Sequence, residues 1–422
     1  MSEHQRNWAG NLTYSAARLH APETVAQVQE LVRRQHKLRV LGSRHSFNSI
    51  ADTPEDLISL EHLNRMIAID RERGTVTVEG GITYGQLCRQ LHDQGYALHN
   101  LASLPHISVA GACATATHGS GDGNGNLATA VAALRLVTAD GEQVEISRER
   151  DGEQFQGAVV GLGGLGVVTQ LTLDVVPAFE VRQDVYLNLP VAQLEAHFEE
   201  IVGSAYSVSL FTDWQNERVN QVWVKRRSAS GDSGETAPAL FEATPAPRQI
   251  HPIASLPAEP CTAQLGVPGP WYDRLPHFRI DELPSSGAEL QTEYFVPRQH
   301  AVAALRAVTA LHEQIAPLLM ISEVRTIAAD NLWMSPCYQQ ACVAIHFTWK
   351  LNWEGVRQLL PEIEAQLAPF DARPHWGKLF TMAPARLHSL YQKLPDFQRL
   401  LTSYDPQGKF RNPFLDTYIF GA

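Results

Sequence analysis

Residues 161–166 read Gly-Leu-Gly-Gly-Leu-Gly and run without a break into Val-Val-Thr-Gln-Leu-Thr-Leu at 167–173. This junction constrains the fold more than any other feature. The GxGxxG spacing is that of a dinucleotide-binding turn. Such a turn must open a helix, and an acidic residue about 20 positions later must hold the ribose. Here the residues that follow alternate with period two, the pattern of a half-buried strand. A glycine turn that enters a strand presents no helix N-terminus to a pyrophosphate. The context therefore argues against a Rossmann unit with an NAD site at Gly161.

Around this junction helix and strand signals alternate. Pro22-Glu23-Thr24 opens a helix with Val25, Val28, Leu31 and Val32 on one face. Leu38 to Leu41 predicts a short buried strand that ends at Gly42. Ile67-Ala68-Ile69 turns through Arg73-Gly74 into the β-branched Thr75 to Val78. Thr83 caps a helix containing Leu87 and Leu91. Leu134 to Val137, Asp140-Gly141 and Val144 to Ile146 predict a second hairpin. This mixture predicts an α+β domain ending near residue 178, with Pro177 as punctuation. Strand-like segments recur at 206–211 and 221–224. Between about residues 228 and 269 a Ser, Gly, Ala and Pro-rich stretch predicts a long surface connection. At 422 residues the chain exceeds one hydrophobic core, so two domains are expected.

The formal charge is -11, and no basic stripe interrupts it. Nucleic acid and anionic membrane are therefore poor partners. The N-terminal residues are polar and lack the apolar core of a secretory signal, and no apolar run approaches a bilayer span. The cysteines Cys88, Cys113, Cys261, Cys337 and Cys342 are scattered without a CxxC pair, which predicts reduced thiols and a cytoplasmic protein.

Two further small-residue segments stand beside the glycine turn. In Leu41-Gly42-Ser43-Arg44-His45-Ser46-Phe47-Asn48 a loop follows a buried strand, so its backbone N–H groups can converge on an anion. The second runs from Ser103 to Gly121, where successive small residues predict a backbone lying close to something flat or extended. In the C-terminal half, alternation places Glu323 and Arg325 on one face of a strand, and His346 and Thr348 on one face of another. A carboxylate and a guanidinium so placed bind neighbouring hydroxyls, or form a plain surface ion pair. Lys378, taken alone, reads first as a solvated cation and second as a catalytic group. His106 and His118 lack a third ligand at a recognisable spacing, so no metal is expected.

Read in order, G-S-R-H-S-F-N, S-L-P-H-I-S-V-A-G with T-H-G-S-G, and G-L-G-V-V-T resemble the FAD domain of the vanillyl-alcohol-oxidase superfamily. N-W-A-G-N at Asn7, Y-S-V-S-L-F-T-D-W at Tyr206, G-V-P-G-P-W at Gly266, R-P-H-W-G-K at Arg373 and D-P-x-G-K-F at Asp405 extend the resemblance over nearly the whole chain. Within the superfamily it is greatest to the bacterial alditol oxidases.

The resemblance implies a two-subdomain PCMH-type FAD-binding domain, 1–178 completed by about 375–422. An α+β substrate domain with a large antiparallel sheet would span 179–374. It implies FAD bonded covalently to His45, with one tether only, because Leu104-Pro105-His106 carries no cysteine. Leu41, Gly42, Ser43, Arg44, Ser46 and Phe47 would surround the cofactor, together with Ser103, Ser108, Gly111, Thr115, Ala116, Thr117, His118, Val168 and His375. Arg44 stands where some relatives have glycine. Lys378, aided by His346, would deprotonate the C1 hydroxyl of an alditol while hydride moves to flavin N5. Ser103, Glu323, Arg325, Thr348 and Lys378 would bind the polyol, and small Ala102 would leave a path for O2. The partners implied are a polyol such as xylitol or sorbitol and O2, giving an aldose and H2O2; a monomer is the default expectation. An aldonolactone oxidase or dehydrogenase of the same fold, a catalytically silent flavin-binding protein and an NAD enzyme are the alternatives.

Overall fold

The computed structural model describes residues 6–228, 239–281 and 288–421. The alternating run after the glycine turn forms the strand Val167–Asp174, buried at every second position. It lies centrally in a five-stranded antiparallel sheet ordered Met66–Asp70, Thr75–Glu79, Val167–Asp174, Val131–Val137, Gln143–Ser147. Both expected hairpins supply its flanks. The glycine turn thus enters a sheet and opens no helix, as its period-two continuation requires.

A smaller parallel sheet is ordered Arg18–His20, Asp56–Ser59, Leu38–Leu41. The helix Val25–Arg34 crosses between two of its strands, opened by a reciprocal capping box of Thr24 and Gln27. Val28 and Val32 are fully buried. Thr83 and Gln86 cap the helix Tyr84–Asp93 in the same way, and it buries Leu87, Cys88 and Leu91.

The largest element is a nine-stranded antiparallel sheet. Its order is Thr244–Pro245, Glu180–Pro190, Arg218–Ser228, Ser207–Thr212, Leu319–Ile327, Cys342–Lys350, Glu289–Pro297, Arg373–Pro374, with Gly269–Pro270 also paired to Glu180–Pro190. Along Cys342–Lys350, Val343, Ile345, Phe347 and Trp349 join the apolar core that holds Val356, Leu360 and Ile363 of the helix Trp353–Leu367. Strand alternation turns His346 and Thr348 to the opposite face.

Residues 229–238 of the expected surface connection lie outside the described residues. Those that follow differ from the expectation. They fold onto the large sheet, with Cys261 and Trp271 fully buried and the His251 carbonyl accepting from Gln221 Nε2 at 2.9 Å. Their lack of periodicity reflects irregular backbone whose polar groups are satisfied by the sheet beneath. The C-terminal segment returns to the first loop. Phe47 N donates to the Gly377 carbonyl at 2.8 Å, and Leu38 N to that of Lys409 at 3.0 Å.

Candidate active site

The three small-residue segments converge on one cavity of about 470 Å³, and the large sheet forms its other wall. The glycine side is built by close approach. Ser43 Oγ accepts from Ser108 N at 3.0 Å. A Cβ added at Gly42 or Gly111 would stand 2.8 or 2.7 Å from Ser108 Oγ, so the bare glycines leave that hydroxyl its place. That hydroxyl is buried and has no hydrogen-bond partner within the protein. An orphaned donor between two closely approaching glycines suits an anionic ligand such as a pyrophosphate. The third segment is held by the buried Arg39 guanidinium, which donates to the carbonyls of Leu162, Gly163, Phe410 and Ile50. Leu162, Gly163 and Val168 line the cavity.

The His45 loop is clamped from the N-terminus. Trp8 N donates to the Arg44 carbonyl at 2.9 Å, Asn7 Nδ2 to that of Ser46 at 3.0 Å and Asn11 Nδ2 to that of Phe47 at 2.8 Å. The His45 ring stacks on Trp8 with centroids 5.3 Å apart, and its Nδ1 lies 2.8 Å from the Ser43 carbonyl. Against a carbonyl this nitrogen must donate, so the other keeps its lone pair. Burial lowers the pKa to about 4 against the pull of the Ser43 bond, and Lys378 lowers it further; the ring is neutral near pH 7. Arg44 adopts φ 62°, a conformation natural to glycine.

The sheet wall follows from register. Gln221, Phe211, Glu323, His346 and Glu293 stand directly opposite one another across five strands. Directly opposed residues share a face, so the row delivers two carboxylates and an imidazole to one surface. Arg325 joins them. Its Nη2 donates to Glu293 Oε1 at 2.7 Å, its Nη1 reaches Ser103 Oγ at 3.4 Å, and its Nε is 3.6 Å from Glu323 Oε1. Glu293 also takes His118 Nε2 at 3.1 Å and stands 3.7 Å from His346 Nδ1, while His346 Nε2 lies 3.2 Å from Thr348 Oγ1. Burial alone would raise both carboxyls. Arg325 and then His277 hold Glu323 below the usual carboxylate range, and His118 and Arg325 do the same for Glu293. Both are therefore carboxylates at neutral pH.

Lys378 extends its ammonium to Gln291 Oε1 and over the Phe47 ring, 4.8 Å from its centroid. Asn48 Nδ2 fixes its backbone by donating to the carbonyls of Trp376 at 2.8 Å and Lys378 at 2.7 Å. Burial lowers the lysine pKa to about 8, with Glu293 opposing and Arg325 reinforcing the shift. His375, fully buried, accepts from Gly377 N at 3.0 Å.

Of the residues singled out in the sequence, Leu41 to Phe47, Ala102, Ser103, Ser108, Gly111, Thr115, Thr117, His118 and Val168 line the cavity. So do Glu323, Arg325, His346, Thr348, His375 and Lys378. Ala116 does not; it is fully buried with φ 53°. Sequence reasoning missed Glu289, Gln291, Glu293 and His277, all of which line it. His118, Glu293 and His375 offer polar atoms within 4.8 Å of one another. Glu293 is already engaged by Arg325 there, and a dication would sit against that guanidinium and Lys378.

Residues 16–147 match the family model described as FAD binding domain, and residues 288–418 match that of D-arabinono-1,4-lactone oxidase. The chain is 48% identical to an alditol oxidase of Streptomyces sp. over the full length of both. It is 27% identical to L-gulono-1,4-lactone dehydrogenase of Mycobacterium tuberculosis, with 98% of each covered. In structure it resembles cholesterol oxidase from B. sterolicum, with a TM-score of 0.78, 15% identity and 98% and 96% of the two chains covered. It also resembles a xylooligosaccharide oxidase from Myceliophthora thermophila, with a TM-score of 0.76, 15% identity and 97% and 93% covered.

Proposed function

The chain belongs to the alditol oxidase family of FAD-dependent oxidoreductases, and from that premise we propose that it oxidises the C1 hydroxyl of alditols such as xylitol and sorbitol to the aldose. The observation that carries this reading is the placement of Lys378, Glu323, Arg325 and His346 on one wall of the cavity, facing the glycine segments on the other. FAD, when bound, would supply the hydride acceptor and the route of the electrons to O2, with H2O2 as the second product.

Lys378 is the base. With a pKa of about 8 a fraction of it is neutral near pH 7.5, and Gln291 Oε1 aims its Nζ. Its proton comes from the C1 hydroxyl. His346, tethered between Glu293 and Thr348, assists. Arg325 donates to substrate hydroxyls and Glu323 accepts from them, while Ser103 and Thr348 bind the rest of the chain. His45, neutral and stacked on Trp8, is the residue we assign to the covalent link with the flavin. The remaining cofactor contacts are assigned to the loop 41–47, to Ser103, Ser108, Gly111, Thr115, Thr117 and His118, and to Val168 and His375. Ala102, at the cavity wall, is assigned to the O2 path.

The same reading divides the chain into an FAD-binding part, 1–178 completed by 375–422, and a substrate part, 179–374. It makes the enzyme monomeric and cytoplasmic. The five free, buried cysteines support a reducing compartment, and no described helix is long and apolar enough to cross a membrane.

One observation favours a second reading. The match of residues 288–418 to the D-arabinono-1,4-lactone oxidase model suggests an aldonolactone substrate. Anaerobic flavin reduction separates the two. Faster bleaching by xylitol than by an aldono-1,4-lactone supports the alditol; the reverse order overturns it.

A further inference from the structure

Glu323 is itself held from outside the catalytic group. Its Oε1 accepts a 2.7 Å hydrogen bond from His277 Nε2, and His277 Nδ1 lies 3.3 Å from Lys225 Nζ. Lys225 also donates to the carbonyls of Leu275 at 2.6 Å and Pro276 at 2.9 Å, and only 1% of its surface is exposed. Three acceptors thus surround Nζ, matching the three N–H bonds of an ammonium. A buried lysine is costly, and nothing in the reaction uses it.

We propose that Lys225 and His277 form a positioning pair that fixes the Glu323 carboxylate to receive substrate hydroxyls. An ammonium only donates, so His277 Nδ1 must accept from it, and the imidazole proton is driven onto Nε2, facing Glu323 Oε1. Oε1 is then occupied, and Oε2 is left to the ligand. The imidazole has little room to turn. It meets Trp223 edge-on at 5.2 Å and 80°, and Phe211 at 5.4 Å and 67°. His277 N donates to the Ser103 carbonyl at 3.2 Å, so one residue sets the spacing between Ser103 and Glu323 across the cavity. Burial lowers the His277 pKa to about 4, which keeps the ring neutral and the Nε2–H tautomer defined. The segment that carries His277 is thereby part of substrate recognition.

The inference rests on the reading of Glu323 as a hydroxyl acceptor. Its test compares kcat and KM for xylitol in wild type, Lys225→Met, His277→Leu and His277→Gln holoenzymes. The assays run at pH 6.5, below the value of about 7 to which burial lowers Lys225, so that the ammonium predominates. Lys225→Met and His277→Leu should raise KM about tenfold or more, the scale of a lost hydrogen bond to a charged group. FAD content should be unchanged and kcat should move far less. His277→Gln, whose side-chain amide donates in place of imidazole Nε2, should restore KM towards wild type. Unchanged KM in Lys225→Met and His277→Leu, or a common fall in kcat and FAD content, overturns the pair. Should those variants not fold, ¹⁵N-histidine spectra of the wild type decide: the Nε2–H tautomer at His277 supports the pair, and the Nδ1–H tautomer overturns it. Absence of wild-type turnover on every polyol overturns the underlying reading, whereas wild-type turnover with indifferent variants overturns the inference alone.

Discussion

Glu293 Oε1 lies 2.7 Å from Arg325 Nη2, with both side chains almost wholly removed from solvent. Glu293 is the carboxylate that His118, Arg325 and His346 share. Breaking a buried pair by removing one partner costs about 3–5 kcal/mol, because the other charge stays buried without compensation. Glu293→Gln should therefore lower the unfolding free energy by about 3 kcal/mol in chemical denaturation. Arg325, freed from its anchor, should also bind the polyol more weakly. A variant with wild-type stability would mean that Glu293 is not the counter-charge of this cluster.

Lys378→Met removes the proposed base and retains most of the apolar stem over Phe47. The rate of flavin reduction by xylitol in stopped flow should fall by about 10²–10⁴, the contribution of a positioned general base. The FAD absorbance of the purified protein should be unaltered. A reduction rate within a few-fold of wild type would assign the base elsewhere.

The same lysine sets the pH profile. Its pKa is lowered to about 8, and the deprotonated amine is the form that accepts a proton. Activity measured as kcat/KM on xylitol should thus rise with pH and level off above about 8. In Lys378→Met the rise should vanish. A wild-type profile that falls through pH 8 would require the ammonium instead.

His45→Ala tests the tether. Wild-type protein precipitated with acid should keep its yellow colour and fluoresce as a band on a denaturing gel. The variant should release all its flavin to the supernatant. Colour retained by the variant would place the attachment at another residue.

Arg44 makes the opposite case, a residue whose replacement should help. A non-glycine side chain at φ 62° costs roughly 1 kcal/mol relative to glycine. Arg44→Gly should leave flavin loading intact and the thermal midpoint equal or raised. A clear loss of flavin would show that the guanidinium, and not the loop backbone alone, contacts the cofactor.

The elements legible in the sequence were those whose local chemistry repeats or terminates. Thr24 and Thr83 announce their helices because each cap recurs with a glutamine three residues on. The run 167–173 announces a strand by its alternation. Glu323 with Arg325, and His346 with Thr348, were found by the same period. Glu289, Gln291 and Glu293 carry the identical signal on Glu289–Pro297, but the Pro and Ser-rich residues that precede them mask where the alternation begins. His277 is different in kind. It belongs to an irregular segment whose burial is dictated by a sheet assembled from distant strands, so no local pattern marks it. The motif groups Ala116 with its neighbours, but it is fully buried with φ 53° and does not line the cavity as Thr115 and Thr117 do. Which face of a sheet meets the glycine loops is a property of the assembled topology, and periodicity alone does not choose it.

Peroxide release in air by the purified protein, followed with a coupled peroxidase on xylitol and sorbitol, tests the central claim most directly. Sustained turnover with one H2O2 formed per aldose, exceeding that on an aldono-1,4-lactone, is the result expected of a site in which Lys378 takes the C1 proton and Glu323 and Arg325 hold the chain. A yellow protein that releases no peroxide with any alditol, yet turns over a lactone, would contradict it.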